Sequence, residues 1–508
     1  MSQPSPAVIL VILVAAGAGS GLFFSRSKPV PPATAAAKTE ITTVEPGMLS
    51  AVSGTDAGES SDLLAQIKLL EGQVEYLQGQ VGALQDENSQ LMQKLGTLGM
   101  KGVPKMEPAV GVAEEEEPPD FVGMGIELMK FRQIQSLPVP TAGVTQSEVE
   151  QAILTWMRQK QPNEEGPRFG LALTALGWID KPVDLLPVKA ALWARQLGGW
   201  YDQASGTLMV ADQDSTPGMP PPDRPLAIAF GQLLREFGGT LFPEAGKVPL
   251  TTDERLAREC LLAGDAGLTR FLFSLQNPAA SPASDLPSED PDHPLNQVQA
   301  PVFVRELAMF PFRPGFEFAQ TLHSAGSFAQ LNAAYSRPPQ SCAEIIEAER
   351  YLDNSALPST RPDMGNVTVQ DHAPYWDDSL GRFAIYTALR TYNSDEDAGQ
   401  AARGWQADRL LTYASPDHKR DHAAWQTMWL SPEQAGLFFK AMRNWLLQRY
   451  DVKAATDTPA ELVLDTPERH VRLLLNRNGQ GVLLLDAATP DFAEAMRSTL
   501  NPQKPSAP

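Results

Sequence analysis

Leucine returns every seventh residue at Leu63, Leu70, Leu77, Leu84, Leu91 and Leu98, and Ile67, Val74, Val81, Asn88 and Leu95 occupy the alternate seam positions. An a/d pattern kept over about five heptads is satisfied only by burying the seam against another helix. β-branched residues at most a positions with leucine at d favour two parallel strands, and Asn88 at a single a position fixes the register. Gly72, Gly79, Gly82 and Gly96 weaken the helix by up to about 1 kcal/mol each, yet all fall at outward b or f positions. The expected partner is therefore a second copy of the chain in a parallel coiled-coil dimer. An amphipathic helix folded back on its own domain is the competing reading.

The segments around this zipper differ sharply from it. Ala7 to Phe24 is uncharged and largely apolar, and as a helix it would reach roughly 27 Å, enough to cross a bilayer core. A cleaved signal peptide competes, because Ala16-Gly17-Ala18 resembles a cleavage site, but no Lys or Arg precedes the apolar run. The expectation is a single-pass membrane anchor over residues 1–28. Arg26 and Lys28 after the span lean towards a cytoplasmic C-terminal side. A Pro/Ala/Thr/Ser-rich tether follows over 29–60, the coiled coil over 61–98, and a Pro-containing linker with the acidic run Glu114–Glu117 over 99–120. The net charge of −20 argues against sequence-independent nucleic-acid binding, which needs basic surface. Cys260 and Cys342 form no metal knuckle or disulfide framework. They are expected as buried thiols, or as one disulfide if the domain lies outside the cytoplasm.

From Phe121 the pattern is that of a folded α+β domain, mainly helical with a small sheet, over 121–450. A hairpin and a helix over 451–500 and a tail over 501–508 follow. Ile126–Arg132, Gln146–Trp156, Phe169–Leu176, Pro187–Gln196, Leu226–Phe237 and Ser431–Leu446 carry helical periodicity. Leu137–Val144 suits an extended edge segment because of its prolines. Gly199–Val210 suits two short strands about an Asp/Ser/Gly turn, and Asn478-Gly479 suits a hairpin turn between His470–Leu475 and Val482–Leu485.

The order of "IELMKFRQIQSLPVP", "GWYDQASGTLMV", the helix from Leu226, "AGDA", "FVRELAMFPFRPGFEFAQTL", "LNAAYSRPPQSCAEIIEAERYL", "AARGWQADRLLTY" and "WQTMWLSPEQAGLF" resembles a group of bacterial zinc metallopeptidases of the zincin type. The resemblance spans about Val122 to Tyr450 and implies a zincin-like fold. In that group a helix carries HExxH and the next supplies a glutamate in EGDA. Two histidines at i and i+4 on one face hold Zn²⁺, and the glutamate beside the first is the general base. Matched residue by residue, the histidine positions fall on Ile228 and Gln232, the base on Ala229, and the third ligand on Ala263. Gly264, Asp265 and Ala266 are retained. Structural zinc in small peptides contributes on the order of 10–16 kcal/mol, and these side chains offer nothing comparable.

The resemblance thus implies a pseudopeptidase without metal or cofactor. It also places the domain outside the cytoplasm, against the charge flanks. His418 and His422 share i,i+4 spacing but sit where a charged hairpin loop is expected, and Cys260 has no histidine close in sequence. A peptide or protein ligand remains open to such a domain, with Gly206, Thr207, Leu208, Met209 and Val210 as the strand edge to receive it. Two other functions stay open on sequence alone: a hydrolase using an unrecognised or migrated site, and a purely structural coiled-coil envelope protein.

Overall fold

The computed structural model describes residues 120–135, 139–161, 165–211, 223–243, 249–277, 295–354, 361–415, 420–476 and 478–500. All of them belong to one compact unit, Pro119–Pro508. The anchor, the tether, the heptads from Leu63 to Leu98 with Asn88, the acidic linker and the tail lie outside the described residues.

Helices dominate the first half, and their ends follow from local chemistry. α1 (Phe121–Phe131) is capped by Asp120, and β1 (Thr141–Val144) leads into α2 (Gln146–Lys160), which opens with a Thr145/Glu148 capping box. α3 (Glu165–Leu176) and α4 (Leu185–Leu197) precede a hairpin of β2 (Gly199–Asp202) and β3 (Thr207–Ala211). Its turn is tied by the Asp202 carboxylate, which accepts from the amides of Ala204 and Ser205.

α5 (Arg224–Leu241) starts on Asp223 with Pro225 in its first turn. α6 (Thr252–Gln276) starts on a Thr251/Glu254 capping box and runs for 25 residues, touching α1, α5 and two of the next four helices. The four are α7 (Val302–Met309), α8 (Arg313–Ser336), α9 (Cys342–Ile346) and α10 (Ala348–Leu352).

The second half is built on a sheet. β4 (Trp376–Asp378), α11 (Gly381–Leu389) and α12 (Asp395–Ala402) lead into β5 (Trp405–Tyr413) and β6 (His422–Trp429). After α13 (Pro432–Tyr450) come β7 (Thr456–Asp457), β8 (Glu461–Asp465), β9 (His470–Leu475), β10 (Gly481–Ala487) and α14 (Pro490–Leu500). The seven strands pair in the order β4-β5-β6-β10-β9-β8-β7, antiparallel throughout.

One face carries Trp425, Leu473 and Leu484 into the main core with α13, where Phe438 stacks on Trp429 at 4.6 Å. The other face carries Leu411, Leu483 and Leu485 onto Phe492 and Met496 of α14.

This architecture corrects the expected one, a mainly helical zincin-like domain with a small sheet behind a transmembrane helix and a parallel coiled coil. The described residues form an α+β fold with a seven-stranded antiparallel sheet, and no helix among them is long and apolar enough to cross a membrane. The joining of the strands into one large sheet escaped the sequence because the central strands are covered on both faces. β10 is buried along its whole length and β6 nearly so, so neither shows the alternation of a half-exposed strand. Residues 451–500, expected as an appendage, are part of the same sheet, since β10 lies between β6 and β9.

The smaller sheet has the order β1-β3-β2. β3 pairs in parallel with β1 through Leu208 to Ala211 and antiparallel with β2 through Thr207 to Val210. The strand expected to offer an edge at Gly206–Val210 is therefore the middle strand. Its hydrogen-bonding groups are already engaged, and β1 takes the edge that its preceding prolines suit.

A chain ending after Tyr450 would lose β7 to β10 and α14 and leave β6 with a bare edge and uncovered faces. It is expected to pellet on centrifugation under detergent conditions that keep the full chain in solution.

Candidate functional site

The positions matched to a zinc centre all lie inside the protein. Ile228 and Ala229 are fully buried, Gln232 is 4% exposed and Ala263 3%. Ile228 and Gln232 share one face of α5, as i,i+4 spacing requires, but α1 lies across that face. Gly125 of α1 makes the close approach: a Cβ there would stand 3.2 Å from Gln232 Nε2 and 3.5 Å from Ile228 Cγ2. Three apolar side chains and one buried amide thus fill the place where a metal, its water and a substrate would need an open cleft. No group of three or more His, Cys, Asp or Glu able to hold a metal occurs among the described residues.

Gly264, Asp265 and Ala266 on α6 have work that needs no metal. Gly264 lies against α8 so closely that a Cβ would come within 1.9 Å of the Gly315 carbonyl, and a Cβ on Gly315 would come within 2.3 Å of the Cys260 carbonyl. The two glycines let the helix backbones touch. Asp265, fully buried, receives Arg132 in a two-pronged pair, Nε to Oδ1 and Nη2 to Oδ2, each at 2.7 Å. Thr269 Oγ1 donates to Oδ1 at 3.1 Å and Tyr335 OH to Oδ2 at 2.9 Å.

Burial opposes the charge on Arg132, the Asp265 carboxylate restores it, and the balance lies above the ordinary arginine value. Burial first, and Asp265 second, push the Tyr335 hydroxyl well up. The Phe328 ring lies 4.6 Å under the guanidinium and Phe237 of α5 stacks on Tyr335 at 3.7 Å. The network therefore ties α1, α5, α6 and α8 together beside Ile228, Gln232 and Ala263.

Other residues singled out from sequence fall elsewhere. Cys260 and Cys342 are both free and buried, and burial raises both thiols well above the usual value, which suits packing rather than nucleophilic attack. His422 is not on a solvated turn but buried in β6. Its Nδ1 accepts from the Ala488 amide at 3.0 Å, and burial, then Arg469, lowers it to about 4. His418 lies outside the described residues.

A family model described as "Domain of unknown function (DUF8575)" matches residues 373–497. No curated protein and no solved structure matches the chain. The matched span takes in the seven-stranded sheet and most of α14. It begins beyond Ala263 and so does not bear on the α5 and α6 positions.

Where that span meets α6, the structure assembles carboxylates that the sequence did not reveal. Asp408, fully buried on β5, accepts from Ser379 Oγ, the Gly381 amide and Trp405 Nε1 on one oxygen, and from the Leu380 amide and Trp425 Nε1 on the other, at 2.9 to 3.1 Å. Asp378 caps the start of α6, accepting from the Thr252 amide and hydroxyl and from the Ser379 amide. Asp253 accepts from the Cys342 amide at 2.9 Å. Burial pushes Asp378 up to about 6 and Asp253 up to about 7, against the hydrogen bonds each accepts. These residues are scattered over 156 positions, from Asp253 to Asp408, and no local pattern marks them.

Two outcomes follow from these contacts. Asp265→Ala strands Arg132 in the interior and is expected to cost about 3–5 kcal/mol, whereas replacing Arg132 and Asp265 together by Met and Leu is expected to cost much less. Denaturant melts of the three proteins measure the difference. The raised values of Asp253 and Asp378 mean that the folded chain holds protons the unfolded chain has released. The stability they confer is complete below about pH 4 and is lost as pH rises through about 6 and then about 7. Asp253→Asn keeps an acceptor for the Cys342 amide and removes the charge. It is expected to raise the melting temperature at alkaline pH and to flatten its decline towards neutrality, as melting curves across the acid-to-alkaline range will record.

Proposed function

We propose that this chain is a non-hydrolytic scaffold, held at a membrane by residues 1–28, paired with a second copy through Leu63–Leu98, and carrying its folded region outside the cytoplasm. The observation that supports the reading is the interior of the α5–α6 crossing. Ile228, Ala229 and Ala263 present no donor atom, Gln232 is enclosed beneath Gly125, and the cleft that hydrolysis needs is filled. Around these positions the fold is held by the Asp265–Arg132 pair and the Gly264–Gly315 contact, which keep the helices in place without metal.

Such a scaffold still has a route to a partner. β3 is enclosed, so an extended peptide would add to the outer edge of β1, Thr141–Val144, where the backbone is free to pair among the described residues.

The test is metal analysis of the purified full chain, with melting and proteolysis of an unfolded protein substrate measured with and without a chelator. The expected result is zinc far below one per chain, an unshifted melting curve and no cleavage. Stoichiometric zinc with chelator-sensitive cleavage would overturn the reading.

A further inference from the structure

Helices α3, α4, α6 and α7 leave a cavity of about 60 Å³ between them, and none of Ile228, Ala229, Gln232 or Ala263 lines it. Phe169, Leu186 and Leu307 give it apolar walls. Its charged residues differ in how completely they are used. Lys189 Nζ donates to both oxygens of Glu259 at 2.6 Å, and Glu259 is 2% exposed, so this pair is closed on itself.

The second pair is half used. Arg255 Nη2 donates to Glu165 Oε1 at 3.0 Å, while Glu165 Oε2 is buried with no hydrogen-bond partner among the described residues. The other N–H groups of Arg255 and the side-chain amide of Gln161 also make no hydrogen bond within the described residues, and both side chains line the cavity. The Glu165 and Arg255 side chains are 14% and 10% exposed, so this pair still reaches solvent. Burial raises the Glu165 carboxyl, with Arg255 opposing it.

A buried acceptor without a donor carries a desolvation cost that a bound N–H group removes. A simple amine would satisfy Glu165 and leave the Arg255 donors idle, and a simple carboxylate would do the reverse. A molecule carrying both groups on one carbon, with a short apolar body, uses every feature of the cavity, and the volume limits it to a small one.

We propose that the cavity binds a small α-amino acid of about alanine's size. Its ammonium donates to Glu165 Oε2, its carboxylate accepts from Arg255 and Gln161, and its methyl group meets Phe169 and Leu307. The site stands apart from the question of hydrolysis, since it shares no residue with the positions matched to a metal centre.

Calorimetric titration of the full chain in detergent with L-alanine, ethylamine and propionate tests this. Saturable binding of alanine is expected, with both fragments weaker by about tenfold or more, the loss of one charge-assisted hydrogen bond. Glu165→Gln is expected to weaken alanine binding by a similar factor. Gln161→Met, which removes an amide that holds nothing else in the described structure, is expected to weaken it as well and provides the readout should Glu165→Gln fail to fold. Absence of saturable alanine binding, equal binding of ethylamine and alanine, or undiminished binding by a variant that still melts cooperatively would each overturn the proposal.

Discussion

A carboxylate sealed from water must be met on every side by donors, and Asp265 is met by Arg132, Thr269 and Tyr335 from three separate helices. Isolated, such a charge would cost several kcal/mol, and the guanidinium that matches it would cost as much again. The pair therefore constrains where α1, α6 and α8 can sit, and the Gly264–Gly315 contact sets how closely the last two approach. α1 in turn closes over α5, so the position of Gly125 above Ile228 and Gln232 follows from the same ion pair.

That arrangement gives Gly264, Asp265 and Ala266 parts in the fold that involve no ligand. Gly264 and Asp265 have duties to the fold, one steric and one electrostatic, and Ala266 is fully buried in the helix interface. On α5, Ile228 and Ala229 are the residue types a helix face needs where another helix lies on it. The apolar residues at the crossing make it a packed interior.

Much of the helical half could be read from sequence because its signals are local. The apolar periodicity of Gln146–Trp156, Phe169–Leu176, Pro187–Gln196 and Leu226–Phe237 marks the buried faces of α2 to α5. The Asp202 turn and Asn478-Gly479 likewise placed two hairpins. The extent of the large sheet was not legible, because β6 and β10 are buried on both faces and β4 and β7 are too short to show a period. β3 was misplaced at an edge for a related reason: five residues reveal a strand but not its neighbours. The Asp253, Asp378 and Asp408 seam and the Glu165–Arg255 pair depend on contacts between distant segments, and only the fold brings them together.

The strand order of the large sheet has a consequence for how the chain is made. β10, the last strand in sequence, occupies a central place, pairing with β6 on one side and β9 on the other. Until residues 481–487 have left the ribosome, β5–β6 and β8–β9 can exist only as separate hairpins, each with an edge awaiting its partner. Closure of the sheet is then a late, long-range step, and long-range strand pairing is slow compared with helix formation. The chain must hold the β5–β6 and β8–β9 hairpins apart until residues 481–487 emerge, which makes the interval between β6 and β10 the time at which the sheet is most exposed to misassembly.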